Sequence, residues 1–267
     1  MLQAQGTRVI RREDWGPDLD IVRGEGTCTP VIWPGMGAAE RSIHLLLLGP
    51  GSRTIWMRHP SEAAYYVMEG QARVEDPGAG SSWPLEAGSM FHVEPGTIYG
   101  IHTDAVGARI MGGPCPPDPA LYLPGLADAE PKEAAAAGVS IHHRDNPGLL
   151  VPFISSDARF IIWLGTGAKT ANMNYVVMQP GESNVPHIHK SSEDTIFILE
   201  GHGSIRDDTA GVRLEFGPGD VIHIDAGVRH ATFADMGEVV VSVGGPCPAD
   251  LAMLRLLGID VDAMLSA

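Results

Sequence analysis

Residues 181–201 read GESNVPHIHKSSEDTIFILEG, and residues 217–230 read GPGDVIHIDAGVRH. His187 and His189 are two residues apart, so on a β-strand their side chains leave the same face, whereas on a helix they would point roughly 200° apart. An acidic pair follows within a few residues, and His230 ends the second stretch. The spacing therefore predicts strands that bring three imidazoles and one carboxylate together.

Three neutral imidazoles and one carboxylate form the ligand set of a single divalent metal ion, and on an octahedral ion they leave two positions open for a substrate. Because the carboxylate favours a hard ion, we expect one iron or manganese ion per chain, with nickel, zinc or copper as alternatives. The fourth ligand is Asp194 or Glu193. A strand that starts at Asp194 sends that side chain and Ile196 to the interior, whereas Glu193 could serve through a bulge.

The first stretch resembles the first motif of the cupin superfamily, in which a His-x-His pair and a glutamate lie between two glycines. Gly181, His187, His189 and Gly201 fall into register with that motif. Asp194 stands at the acidic position when the motif is counted back from Gly201, which departs from the usual glutamate. The resemblance implies that these histidines and one of the two neighbouring acids bind the metal.

The second stretch resembles the second cupin motif, which ends in Pro-x-Gly followed by a histidine. Gly219, Gly227 and His230 fit it, and Asp225 stands where proline is usual. Two motifs in the right order identify the chain as similar to cupins. The resemblance implies an all-β fold, a double-stranded β-helix or jelly-roll barrel.

The same pattern occurs a second time, about 130 residues earlier in the chain. Gly51, Gly70, Gly88 and Gly96 match the glycines of the later copy, and the string GGPCP is found at residues 112–116 and 244–248. We therefore predict a bicupin made of two tandem barrels, residues 1–138 and 139–267, each with a short helical tail. The helical patterns lie at residues 119–137 and 249–265.

The first copy has lost most of the ligand set. The positions equivalent to the three histidines and the acid are Met57, His59, Tyr99 and Ala63. The prediction is a structural N-terminal barrel without a metal. Glu62 and His102 are close enough in sequence to leave a rebuilt site as an alternative.

Composition and charge narrow the class of protein. A formal net charge of −15 argues against nucleic-acid binding, which needs a concentrated basic surface. The chain has no apolar run long enough to cross a membrane, and its first residues lack the apolar core of a secretory signal. The sequence thus favours a cytoplasmic protein that acts on a small molecule.

The chemistry that the metal supports is open, because cupins host many reactions. We expect an enzyme acting on a small polar organic substrate, with an iron(II) or manganese dioxygenase-type oxidoreductase as the first hypothesis. The alternatives are an isomerase, a decarboxylase or a hydrolase, including one similar to ureidoglycine aminohydrolase, and a non-catalytic binding protein with a structural metal. Arg229 is the candidate substrate contact, as it precedes His230.

Several further residues have structural interpretations. His223 is expected to face outward or into a subunit contact, since it alternates with Ile222 and Ile224. The segment before Arg41 is apolar enough to dock on a neighbouring barrel, and the expectation is a homodimer. Four aromatic residues near the C-terminal motifs are candidates for the core or for the pocket wall: Trp163, Tyr175, Phe197 and Phe233.

Overall fold

The computed structural model describes residues 6–129 and 138–266, and β-strands dominate it. The strands, in chain order, are β1 Thr7–Ile10, β2 Val22–Arg23, β3 Gly26–Ile32, β4 Ile43–Leu48, β5 Arg53–Thr54, β6 Met57–Arg58, β7 Glu62–Asp76, β8 Ser81–Glu86, β9 Ser89–Val93, β10 Ile98–His102, β11 Ala108–Cys115, β12 Val139–His143, β13 Leu149–Leu150, β14 Asp157–Ile162, β15 Met173–Met178, β16 His187–Ile188, β17 Glu193–Glu200, β18 Gly203–Asp207, β19 Val212–Phe216, β20 Val221–Ile224, β21 Arg229–Ala234 and β22 Val240–Cys247. Two helices follow, α1 Leu251–Leu256 and α2 Val261–Ser266. The predicted all-β fold of two cupin barrels with short helices is confirmed.

The helical tails are shorter than the sequence pattern suggests. In the first tail the structure has a single 3₁₀ turn, Pro119–Tyr122, and residues 130–137 of the predicted helical stretch lie outside the described residues. In the second tail, Gly258 ends the pattern of α1 in a left-handed conformation, with φ of +80°, and the chain starts again as α2. Glycine adopts that conformation without the steric cost of a Cβ atom.

The chain divides into two compact units that differ at their ends from the predicted ranges 1–138 and 139–267. One unit comprises residues 15–145, and the other comprises residues 1–14 together with residues 146–267. Strand β1 pairs with β20 in antiparallel register, Thr7 opposite Ile224. Strand β12 pairs with β9, Val139 opposite Val93. In each unit, one edge strand thus comes from a segment that adjoins the other repeat in sequence.

In the unit of residues 15–145, one long strand links the two walls of the barrel. Strand β7 pairs with β9, β10 and β11 along its length and with β8 at its end. The core is made of alternating inward-facing residues, among them Tyr65, Val67, Phe91 and Ile101. Val31 and Ile32, part of the apolar segment before Arg41, are fully buried.

In the other unit, the equivalent strand is divided by a turn at Gly201 into β17 and β18, and two separate sheets result. The larger sheet has the order β1-β20-β17-β22-β15-β14-β13, and the smaller one has the order β16-β21-β18-β19. Ile198, Ile205, Ile222 and Ile224 belong to the buried cluster between them. The inward positions of β20 alternate with His223, as the two-residue period of a strand requires.

No helix among the described residues is long and apolar enough to cross a membrane.

Candidate metal centre

Strand pairing in the smaller sheet brings the motif histidines together. His187 on β16 lies directly opposite His230 on β21. His189 follows β16, and its carbonyl accepts the Gly227 N–H at 2.7 Å, where Gly227 has a φ of +84°. Asp194 is the second residue of β17, in the larger sheet. The two sheets therefore contribute ligands to one point inside the barrel.

The four side chains form one cluster. One ligand atom from each of His187, His189, Asp194 and His230 lies within 4.8 Å of all the others. The Asp194 Oδ2 atom is 3.7 Å from His189 Nε2 and 3.6 Å from His230 Nε2. All but His187, which is half-buried, are buried. The structure thus brings Asp194, rather than Glu193, to the three histidines.

Each imidazole is oriented by a hydrogen bond from its other ring nitrogen. His187 Nδ1 bonds the Val185 carbonyl at 2.8 Å, and His230 Nδ1 bonds the Val228 carbonyl at 3.1 Å. His189 Nδ1 bonds Asp250 Oδ2 at 2.7 Å. Because these acceptors require the proton on Nδ1, the lone pair of each Nε2 is left for a metal, as in other metal sites with oriented histidines.

The pKa values of His187 and Asp194 suit metal binding at neutral pH. Burial lowers the pKa of His187 to about 4, and the neighbouring His230 and His189 contribute to the shift. Burial raises the pKa of Asp194, but interactions with His230, His189 and His187 outweigh burial and bring it to about 2. His187 is therefore neutral and Asp194 ionised at pH 7, which are the protonation states that a metal ion requires.

Two buried atoms at the centre of the cluster have no hydrogen-bond partner among the described residues, Asp194 Oδ1 and His230 Nε2. A buried polar group without a partner costs roughly 1–3 kcal/mol. A divalent ion would satisfy both atoms, and the three-nitrogen, one-oxygen donor set suits iron, manganese, nickel, zinc or copper. The residues therefore fit a bound metal ion.

Glu193 belongs to a second cluster, on the other face of β17. It is buried, and its Oε2 atom lies 3.5 Å from His223 Nε2. The expectation that His223 faces outward or into a subunit contact is wrong, because β1 of the same chain covers that face and leaves His223 fully buried. His223 Nδ1 bonds the Arg8 guanidinium at 2.7 Å, and Asp225 is 3.6 Å from the same Arg8 nitrogen.

Arg229 lies on the outer surface, which corrects its prediction as a substrate contact. Adjacent strand residues face opposite sides, so Arg229 points away from the candidate metal ligands and its Nε atom lies 3.6 Å from Asp208 Oδ2.

The four candidate aromatic residues do not line the cavity beside the cluster, whereas Phe160 does. They are Trp163, Tyr175, Phe197 and Phe233.

The equivalent place in the N-terminal barrel is filled by side chains. Tyr65 and Tyr99 share a buried hydroxyl–hydroxyl hydrogen bond of 2.6 Å, and the remaining cavity is about 10 Å³. His59 bonds Asp118 at 2.8 Å, just as His189 bonds Asp250. The described residues show no rebuilt metal cluster in this barrel.

The alternative ligands proposed for that barrel have other partners. Glu62 lies 3.6 Å from His92, and His102 lies 3.3 Å from Glu75.

A cavity of about 50 Å³ adjoins the cluster of the second barrel, above the roughly 10–15 Å³ needed to hold one water molecule. His187, His189 and Asp194 form part of its wall. Most of the rest is apolar, with Ile154, Phe160, Val176, Met178, Ile196 and Met253 among the lining residues. A small molecule in this cavity would touch the metal ligands directly.

Sequence comparison agrees with the barrels and the motifs. The family model described as "Cupin domain" matches residues 44–108 and 174–244, together just over half of the chain. The chain belongs to the cupin family. Comparison of this cupin with curated protein sequences gives no match.

Solved structures share the fold of this cupin along most of both chains. Ylba from E. coli is 16% identical with a TM-score of 0.65, and the match covers 94% of this chain and 95% of that chain. The putative glyoxylate-induced protein from Pseudomonas aeruginosa is 17% identical with a TM-score of 0.66, covering 92% and 90%. Bacillus subtilis oxalate decarboxylase, described with Mn(II) centres, is 14% identical with a TM-score of 0.63, covering 99% and 87%. At these identities the likeness shows the fold alone.

Proposed function

We propose that this cupin is a metal-dependent enzyme that acts on a small organic substrate in its C-terminal barrel. The observation that carries the proposal is the position of the ligand cluster in the wall of a cavity. A purely structural metal would be closed off by protein ligands on all sides. Here one side of the cluster faces a cavity through which a substrate would reach a bound ion.

The bound metal would supply Lewis acidity, or dioxygen activation if it is iron. His187, His189, Asp194 and His230 would hold it, and Asp250 would keep His189 in the tautomer that binds through Nε2. The apolar cavity wall would exclude bulk water and so strengthen electrostatic interactions at the substrate. Asp194 contributes the negative charge that partly neutralises the ion.

The favoured reaction class is a dioxygenase-type oxidation with iron(II) or manganese. The donor set supports this proposal, since three nitrogens and one carboxylate suit these ions and leave positions for a substrate and dioxygen. A decarboxylase is the second candidate. It is favoured by the fold shared with the manganese-containing oxalate decarboxylase of Bacillus subtilis.

One experiment separates these candidates. Protein loaded with iron(II) or with manganese is given a panel of catechols, diketones, keto acids and dicarboxylates, and oxygen uptake and carbon dioxide release are recorded for each. A matched His187→Ala/His189→Ala variant is the control, because it removes two ligands at the cavity wall. Oxygen uptake by the wild type alone supports the dioxygenase, and carbon dioxide release without uptake supports the decarboxylase. The absence of both activities from every metal-loaded sample would contradict the proposal that the protein is an enzyme.

A further inference from the structure

The cavity beside the metal ligands contains polar side chains, but the polar groups other than the ligands are uncharged. They are Asn174, Asn184, Thr232 and Ser242. Among the lining residues of this cavity, Asp194 is the one with a carboxylate, and none is a lysine or an arginine. Arg229, the candidate substrate contact, is exposed, and its Nε atom lies 3.6 Å from Asp208 Oδ2. The wall therefore provides dipoles and apolar surface, without a cation that could pair with a second negative charge.

Charge balance at the metal follows from this inventory. A divalent ion carries two positive charges, Asp194 contributes one negative charge, and the three imidazoles are neutral ligands. A singly charged chelating substrate would bring the total over the ion and its direct ligands to zero, with the Asp250 carboxylate lying beyond them on His189 Nδ1. A doubly charged one would leave a net negative charge against Phe160, Val176 and Met178, and burying an unpaired charge in such surroundings is costly.

The uncharged polar groups are placed to orient a substrate. The Thr232 hydroxyl and Asn174 Oδ1 are buried and have no hydrogen-bond partner among the described residues. Asn184 Oδ1 accepts the Thr232 backbone N–H at 2.8 Å, which leaves the amide NH₂ of Asn184 as a donor. A substrate that presents a carbonyl and a hydroxyl or amide group beside its chelating atoms would satisfy these atoms.

The absence of a side chain at Gly245 leaves space for the Asn174 amide. A Cβ atom at Gly245 would lie 2.6 Å from Asn174 Nδ2, and the glycine has a φ of +124°. A larger residue would therefore push the Asn174 amide out of place. The equivalent strand position in the N-terminal barrel is His44, which bonds Tyr122. The Asn174 amide thus has no counterpart at the equivalent position of the N-terminal barrel.

We propose that this site accepts compact, singly charged chelators, such as keto monocarboxylates or enolates, and discriminates against dicarboxylates. The inference rests on the metal centre of the proposed function and adds the class of substrate. It separates this cupin from an enzyme for oxalate, since oxalate would carry its second charge into the uncharged part of the cavity. Asn174, Asn184 and Thr232 are its specificity residues.

The test compares three chelators of nearly the same size on the manganese-loaded protein. Pyruvate and oxamate carry one negative charge, and oxalate carries two. The affinity of each chelator for the manganese-loaded protein is measured by calorimetry and by the electron paramagnetic resonance signal of Mn²⁺. The same ligands are titrated into aqueous Mn²⁺ as the reference. The ratio of oxalate to pyruvate affinity is expected to be at least about 100-fold smaller on the protein than on the aqueous ion.

A matched pair of variants tests the role of the uncharged wall. Asn174→Asp adds a negative charge to the cavity, and we expect pyruvate to bind about tenfold more weakly while manganese stoichiometry stays at the wild-type level. Asn146→Asp adds the same charge at an exposed position and should leave pyruvate affinity unchanged. Thermal unfolding of both variants establishes that they are folded.

The outcomes distinguish this inference from the proposed function. The wild-type protein could bind manganese and show the same preference for oxalate as the aqueous ion. That result would overturn the inference but would not contradict the proposed metal centre. Oxalate that removes manganese without forming a ternary complex supports the inference, because the site then fails to hold the dianion. Wild-type protein that binds no manganese, iron or other divalent ion would overturn the metal centre and the inference together.

Discussion

His189 and Asp250 are joined by a hydrogen bond of 2.7 Å between Nδ1 and Oδ2, although they are 61 residues apart in sequence. The other oxygen of Asp250, Oδ1, accepts the backbone N–H groups of Ala252 and Met253 and so caps helix α1. One carboxylate thus orients a candidate metal ligand and caps the start of the C-terminal helix. The first barrel repeats this arrangement with His59 and Asp118.

Replacement of Asp250 by asparagine is expected to weaken metal binding by about 10- to 100-fold, because groups that orient a histidine ligand have effects of that size. Asparagine is itself a good N-cap, so helix α1 should remain. The matched control is Asp118→Asn in the barrel that lacks the other ligands. Metal affinity is measured by competition with a chelator. Equal affinities for the two variants would contradict the role assigned to Asp250.

The two acidic neighbours on β17 face different clusters, and we expect their amide variants to behave differently. Asp194→Asn is expected to reduce metal occupancy to near the background of the double histidine variant, since the amide cannot supply the negative charge of a ligand. Glu193→Gln should retain the metal, because Glu193 faces His223. Elemental analysis of both proteins is the measurement. Loss of metal in Glu193→Gln with retention in Asp194→Asn would reverse the assignment.

Arg8 holds the N-terminal strand to the second barrel. Its guanidinium bonds His223 Nδ1 at 2.7 Å, and removing it would leave that buried nitrogen without this donor. We expect Arg8→Met to lower the free energy of unfolding by about 1–3 kcal/mol.

The matched control for Arg8 is Arg12→Met, since Arg12 is exposed in the turn that follows β1. Urea unfolding compares the two variants with the wild type. A decrease of equal size in both would show that loss of positive charge, and not the contact with His223, is responsible.

A buried histidine in the N-terminal barrel should make stability depend on pH. Burial, followed by the neighbouring His59, lowers the pKa of His44 to about 3. Below the ordinary histidine pKa of about 6.5, the unfolded chain gains a proton that the folded chain does not bind. The free energy of unfolding therefore falls as the pH decreases from about 6.5 to about 3, by up to about 1.4 kcal/mol per pH unit.

The variant His44→Gln should lose this contribution. In urea titrations at about pH 6 to 4, its free energy of unfolding should therefore fall less steeply than that of the wild type. His202 provides a contrast of opposite sign. A hydrogen bond with Glu238 raises the pKa of its exposed imidazole, so its contribution is present at low pH and is lost as the pH rises through its folded pKa. A His44→Gln variant with the same pH slope as the wild type would contradict the burial argument.

The sequence predicted the barrels and the grouping of the candidate ligands because both depend on local spacing. Two histidines separated by one residue share a strand face, and the strand that begins at the acidic pair sends Asp194 inward with Ile198. The duplicated glycines mark turns at the same points of both repeats. These features can be predicted without knowing which distant segments of the chain are in contact.

What could not be predicted depends on contacts between distant parts of the chain. His223 alternates out of the core as expected, but the face it occupies is covered by β1, which lies more than 200 residues earlier. The assignment of residues 1–14 to the second barrel follows from the same pairing.

Asp250 was also missed, since nothing near His189 identifies its partner. A signal did exist, because Asp118 and Asp250 follow the two GGPCP strings at equivalent positions and cap the turns that come next.

We propose that His187, His189, Asp194 and His230 hold one divalent ion in the C-terminal barrel. The most direct measurement is elemental analysis and calorimetric titration with manganese and iron(II), on wild-type protein and on the His187→Ala/His189→Ala variant. We expect about one ion per chain of the wild type and none bound tightly by the variant. Equal metal content in the two proteins, or no binding by either, would contradict it.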